Sequence, residues 1–239
     1  MKREILTAAA TVLMAAGSAV WAASATAVSI ATNGGTSEAN ATATGNADAT
    51  AWAGATNGGR AVANSEAIGL YGGEATSDAI AMADHGLAIS NSRADALGWY
   101  HGRAVANSES VAGAIGGVAI SNSDARARGG FGGVAHSQSY STALSRYGLA
   151  RSDSQAISRG LYGGRATSIS DSLADTYGGV ATSNVRSDSR AGYRASAVAD
   201  GRGVSVSGRR QVSRVTARAQ TRSIYGHGRS RAVGIEIRP

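Results

Sequence analysis

The chain has 239 residues, of which 33 are glycine, against one proline, one phenylalanine, three tryptophans and no cysteine. Large apolar side chains are too scarce to fill an ordinary core, and disulfides cannot replace one. The net charge of +7 arises in residues 200–239, where nine arginines stand against Asp200 and Glu236; the remainder is balanced.

Residues 1–27 read as a secretory signal. Lys2 and Arg3 form a basic start, Ile5 to Val20 an apolar run, and Val20-Trp21-Ala22 or Ala25-Thr26-Ala27 a small-residue cleavage site. The apolar run is short and rich in small residues, which argues against a retained membrane anchor. The expected location is secreted, extracellular or at the cell surface. Residues 28–58 follow as irregular N-terminal cap coils, in which NADATAWAGA keeps an alternation of small and variable residues.

Residues 59–200 form an internal repeat, the feature to be sought before any local structure. Taking Gly59, Gly73, Gly86, Gly102, Gly117, Gly133, Gly148, Gly164 and Gly179 as anchors, the position two residues on is always alanine. These are Ala61, Ala75, Ala88, Ala104, Ala119, Ala135, Ala150, Ala166 and Ala181. Six residues on, serine dominates, with Ser92, Ser108, Ser123, Ser139, Ser154 and Ser170 before Val185 interrupts. Positions four, eight and ten on are also small. An unbroken period of two means a strand with one uniform and one variable face.

From Gly86 the anchors alternate in spacing, so that Gly86, Gly117, Gly148 and Gly179 recur every 31 residues. A coil of that length needs no bend within a strand, because two long strands lie on opposite walls with their Ala/Ser faces inward. The expected fold is therefore an all-β, flattened, two-sided β-solenoid with a thin Ala/Ser core. A β-roll of about 15 residues per coil is the alternative, with the same inward columns as its core.

Two further columns accompany the small residues. Five after the anchors, the column Asn64, Asp78, Asn91, Asn107, Asn122, Gln138, Asp153, Ile169 and Asn184, polar at all but Ile169, predicts an amide ladder along the axis. Just before the anchors, Tyr71, Tyr100, Phe131, Tyr147, Tyr162 and Tyr177 predict a stacked aromatic turn.

Residues 201–239 read as an Arg-rich C-terminal cap or tail. Arg209, Arg210, Arg214, Arg218 and Arg222 could present a polyanion-binding site for anionic polysaccharide, lipopolysaccharide or extracellular DNA. The same charges could instead only block edge-to-edge pairing.

Catalytic patterns are missing from the sequence. His85, His101, His136 and His227 are the only histidines, and none stands in a metal-ligand spacing. There is no GxSxG elbow and no phosphate-binding GK[ST]. The reading is of a protein that is not an enzyme and takes no cofactor or small-molecule substrate.

The segments GRAVANSEAIG, GLAISNSRADALG and GVAISNSDARARG resemble the Ala/Ser/Gly-rich β-roll head repeats of trimeric autotransporter adhesins. The architecture is also similar to the silk-like solenoids of certain insect antifreeze proteins. Together with a repeat spent wholly on self-packing columns and on no recognisable chemistry, the first resemblance points to a secreted structural or adhesive solenoid of a bacterial cell surface or extracellular matrix, able to self-associate into filaments or oligomers. The second implies ice binding through an outward array. For such an array the sequence offers one row of Val62, Thr76, Ile89, Val105, Ile120, His136, Arg151, Thr167 and Thr182.

Overall fold

A strand with small residues at every second position has one flat face, which only another flat face can cover closely. The computed structural model describes residues 22–70, 74–98, 103–161, 163–193, 196–208, 212–224 and 226–238, and it is all-β. Sheet A consists of the first half of β2 (Thr36–Ala55), then β3 (Arg60–Gly69), β5 (Leu87–Gly98), β7 (Val118–Gly129), β9 (Leu149–Gly160), β11 (Val180–Tyr193) and β13 (Val212–Ile224). Sheet B consists of β1 (Ala22–Ala31), the second half of β2, then β4 (Glu74–Asp84), β6 (Arg103–Ile115), β8 (Val134–Ser145), β10 (Arg165–Thr176), β12 (Ser196–Ser207) and β14 (Gly228–Ile237). Every pairing is parallel, and successive strands alternate between the walls. The chain therefore winds as a flattened, two-sided β-solenoid.

Register decides the coil length. Leu87, Val118, Leu149 and Val180 are neighbours across β5, β7, β9 and β11, and Asn122 sits 31 residues from Asn91 in the same way. Coils of 31 residues with one long strand per wall, not rolls of 15, make the stack. Toward the N-terminus the coils shorten, with Asn91 and Asn64 separated by 27 residues and Asn64 and Asn40 by 24. Residues 28–58 hold the end of β1 and all of β2, which passes from sheet A to sheet B at Gly45, where φ is 126°. At the other end β13 and β14 carry both walls through the Arg-rich segment.

Anchors separated by one strand lie on opposite edges, so columns drawn through all of them mix the two walls. Ala61, Ala88, Ala119, Ala150 and Ala181 share a column in sheet A, whereas Ala104, Ala135 and Ala166 share one in sheet B. Ala75 pairs with Ala106, two positions further along, so the glycine anchor before β4 is out of step with its wall. All nine are buried.

The interior is held by serine. Oγ atoms of Ser65, Ser77, Ser92, Ser108, Ser123, Ser139, Ser154 and Ser170 follow one another at 2.9–3.0 Å, crossing from one wall to the other at each step. Most also lie within hydrogen-bond distance of the carbonyl of the serine they face, as Ser108 does at 2.8 Å from Ser92 O. A peptide carbonyl has two lone pairs, so one can serve the sheet and the other the hydroxyl. A second series runs through Ser90, Ser110, Ser121, Ser141, Ser152, Ser172 and Ser183. For such contacts the facing backbones must stand about 5–6 Å apart, well under the ~10 Å of ordinary stacked sheets.

Where the first series stops, shape complementarity replaces it. Val185 takes the place next to Ser154, and Gly201 the place next to Ser170; a Cβ on Gly201 would lie 3.0 Å from Val185 Cγ1. One wall has gained the volume that the other has given up. Gly201→Ser should therefore destabilise by about 1–3 kcal/mol through overpacking. Val185→Ser combined with Gly201→Ser should recover most of the loss by extending the hydroxyl series, measured as denaturant midpoints.

Turns leading from sheet B to sheet A stack glycine upon glycine. A Cβ on Gly86, Gly117, Gly148 or Gly179 would fall 1.7–1.9 Å from the carbonyl oxygen of the equivalent glycine one coil earlier. Close approach, not φ, requires glycine here. Gly163, on the opposite edge, has φ 74° and open space around its Cβ position. Gly148→Ala should therefore cost more than about 4 kcal/mol, and Gly163→Ala only about 1 kcal/mol, compared by chemical denaturation followed by circular dichroism.

Candidate functional surface

With the inward positions committed to packing, chemistry is confined to the two outer faces and two edges. Sheet A carries the amide ladder. Asn64 Nδ2 donates to Asn40 Oδ1 at 2.7 Å, Asn91 to Asn64 at 2.8 Å and Asn122 to Asn91 at 2.8 Å. Asp153 then interrupts it, because a carboxylate has no donor for Asn122 Oδ1, and Asn184 Nδ2 resumes by donating to Asp153 at 2.5 Å. The predicted ladder is thus a property of one wall. Asn107 and Gln138 pair on sheet B, and Asp78 stands beside Glu109.

The same separation applies to other predicted rows. Val62, Ile89, Ile120, Arg151 and Thr182 are neighbours on sheet A, whereas Val105, His136 and Thr167 belong to sheet B, with Thr76 in an adjacent column. The nine residues therefore do not form a single row. The aromatic column also divides. Tyr147 and Tyr177 meet edge-to-face on the B-to-A edge, ring centroids 5.8 Å apart, while Phe131 lies on the opposite edge. Tyr71, Tyr100 and Tyr162 lie outside the described residues.

Acidic and apolar columns run side by side on sheet B. Burial raises the Asp78 carboxyl above the usual range, and Glu109 and Asp48 raise it further. Asp171 is raised by burial against the opposing effect of Arg202, with Asp200 adding to the rise. Val28, Ile30, Met82, Ile115 and Leu144 are exposed beside them. On sheet A, burial raises Asp124 even though Arg126 holds it at 2.5 Å.

Of the histidines, His85 is exposed in a turn at φ 54°, with Nδ1 2.6 Å from Asp84 Oδ1. His136 faces outward from β8, and burial, then Arg103, holds it below its ordinary value. His101 is outside the described residues. Among the described residues no group of three or more His, Asp or Glu side chains is placed to hold a metal ion.

Of the predicted polyanion residues, Arg209 and Arg210 fall outside the described residues. Arg214, Arg218 and Arg222 alternate with inward residues on β13 and share the outer face of sheet A. Arg218 and Arg222 continue arginine columns from the preceding coil, beside Arg186 and Arg190, whereas Arg214 stands beside Thr182. Sequence reading centred on the tail missed that continuation, because it appears only when residues a full coil apart are aligned.

The raised carboxyls have a consequence for stability. Asp78 and Asp171 bind a proton more tightly folded than unfolded, so their contribution to stability rises as pH falls from neutrality through their raised folded values. His136 acts oppositely, since its folded value lies below its unfolded one and acid favours the unfolded chain. Comparison of wild type with Asp78→Asn isolates the carboxylate. The variant should be more stable at pH ~7, and its advantage should shrink toward pH ~4, read from urea midpoints.

Compared with known proteins, the chain matches no family model, no curated protein and no solved structure.

Proposed function

We propose that this chain is a secreted structural and adhesive scaffold of a cell surface or extracellular matrix. The observation that carries this reading is the pair of hydroxyl series running coil after coil through the interior. Successive inward positions are spent on holding two walls together, and the product is a stiff slab with two broad, patterned faces. Such a body suits display and spacing better than enclosure of a substrate.

Export fits the start of the folded stack. Cleavage after Ala22 removes only the first residue of β1, whereas cleavage after Ala27 leaves only Val28–Ala31 of it. The two ends of the slab are unequal, with a coil of 24 residues between Asn40 and Asn64 at the N-terminal end and the 31-residue offset of Ala197 and Gly228 at the C-terminal end. Unequal ends favour discrete slabs over long head-to-tail filaments.

Expressed from the full sequence in a secreting bacterial host, the protein should appear outside the cytoplasm with Ala23 as its first residue. It should give a β-type circular dichroism spectrum and the mass of a monomer by light scattering. Retention of the uncleaved chain in the cytosol would overturn export, and a disordered spectrum would overturn the scaffold.

A further inference from the structure

One column of sheet A is unlike the others. Arg128 of β7 pairs in register with Arg159 of β9, Arg159 with Arg190 of β11, and Arg190 with Arg222 of β13. Four guanidinium-bearing positions therefore lie in a straight row along the solenoid axis at the ~4.8 Å spacing of neighbouring strands. All four residues are exposed.

Like charges directly opposite on a sheet repel, and several arginines of this face show how a carboxylate relieves it, although Arg214 and Arg218 of β13 have no such partner among the described residues. Arg126 is held by Asp124 at 2.5 Å, Arg151 by Asp153 at 2.8 Å and Arg186 by Asp188 at 2.7 Å, each two residues away on its own strand. Among the described residues none of the four in the row has a carboxylate within ion-pair distance. The slab thus keeps four adjacent exposed cations without a carboxylate partner.

We propose that this row is a binding site for a linear carboxylated polysaccharide lying along the solenoid axis. A polyuronate carries one carboxylate on each sugar, and a guanidinium can hold a carboxylate through two parallel hydrogen bonds. A straight row of arginines along the axis would meet the carboxylates that recur along one side of such a chain and release the counterions of both partners. Nucleic acid fits this face less well. The outward positions of sheet A in β3, β5, β7, β9 and β13 carry no aromatic ring on which bases could stack. A broad flat sheet also cannot enter a duplex groove as a helix or two-stranded ribbon does. The site rests on the scaffold reading only for its setting outside the cell, since the row itself is a matter of register.

The test is binding of the full-length mature protein to an oligogalacturonate, with single-stranded DNA of matched charge and neutral dextran as comparisons. Titrations run from low to physiological salt. Wild type should bind the uronate, not dextran, with affinity falling steeply as salt rises. Arg159→Ser combined with Arg190→Ser should weaken binding at least tenfold and lower the salt slope by about 2. Arg214→Ser, on the same face outside the row, should change affinity less than threefold. No binding by wild type at low salt overturns the proposal. An equal loss in Arg214→Ser shows diffuse charge attraction and overturns the row, and tighter binding of DNA overturns the ligand class. Circular dichroism on the same samples separates the two readings: a folded slab that binds nothing refutes the row alone, and an unfolded wild type refutes both.

Discussion

Everything in this molecule depends on how close its two walls stand. A serine hydroxyl that touches both the hydroxyl and the carbonyl of the opposite strand, as Ser108 does with Ser92, allows no third layer of atoms between the sheets. Burial of alanine contributes only about 0.8 kcal/mol per methyl group, less than the ~1–2 kcal/mol needed to order the backbone of one residue. A coil cannot repay that alone. Stability has to come from strand pairing between coils and from hydrogen bonds repeated at every level, so each coil depends on its neighbours.

The same closeness explains which substitutions the sequence contains. The interior tolerates a change in side-chain size only where the facing wall changes in the opposite sense. Val185 against Gly201 is one case, and Val215 against Gly203 is another, with a Cβ on Gly203 falling 2.7 Å from Val215 Cγ1. Glycine stacks on the B-to-A edge follow a related constraint, because the turn backbones pack in contact from coil to coil. At the C-terminal end this order meets solvent. β13 and β14 each pair on one side only, and their outward arginines give the open edges a charged border that opposes unspecific pairing.

Outside the walls, parallel in-register stacking turns single residues into rows. The consequence is favourable for amides, which link coil to coil from Asn40 to Asn122, and unfavourable for like charges, as at Asp78, whose carboxyl is raised by burial and raised further by neighbouring Glu109 and Asp48. Rows of charge are costly for the fold unless paired within a strand. The arginine row of β7, β9, β11 and β13 is such a row with no carboxylate within ion-pair distance among the described residues.

Much of the architecture was legible in the residues themselves. Period-two alternation determined strands with an inward Ala/Ser face, and the 31-residue recurrence of Gly86, Gly117, Gly148 and Gly179 determined the coil. Anchors spaced by a single strand were less informative, since they treat opposite walls as one. That is why the aromatic and outward columns separated into two sets, and why Ala75 fell two positions from its assigned partners. The second serine series was hidden for the same reason. Strands on facing walls run in opposite directions, so Ser90 meets Ser110, 20 residues on, and Ser110 meets Ser121, 11 residues on, spacings that match no simple repeat. The sequence by itself determined composition of the core and length of the coil, which depend on local alternation and recurrence. Only the tertiary structure decided which residues off the strict period share a column, and hence that Arg222, one residue out of step, joins Arg128, Arg159 and Arg190 in one row, because register between strands is set by turns and packing a full coil away.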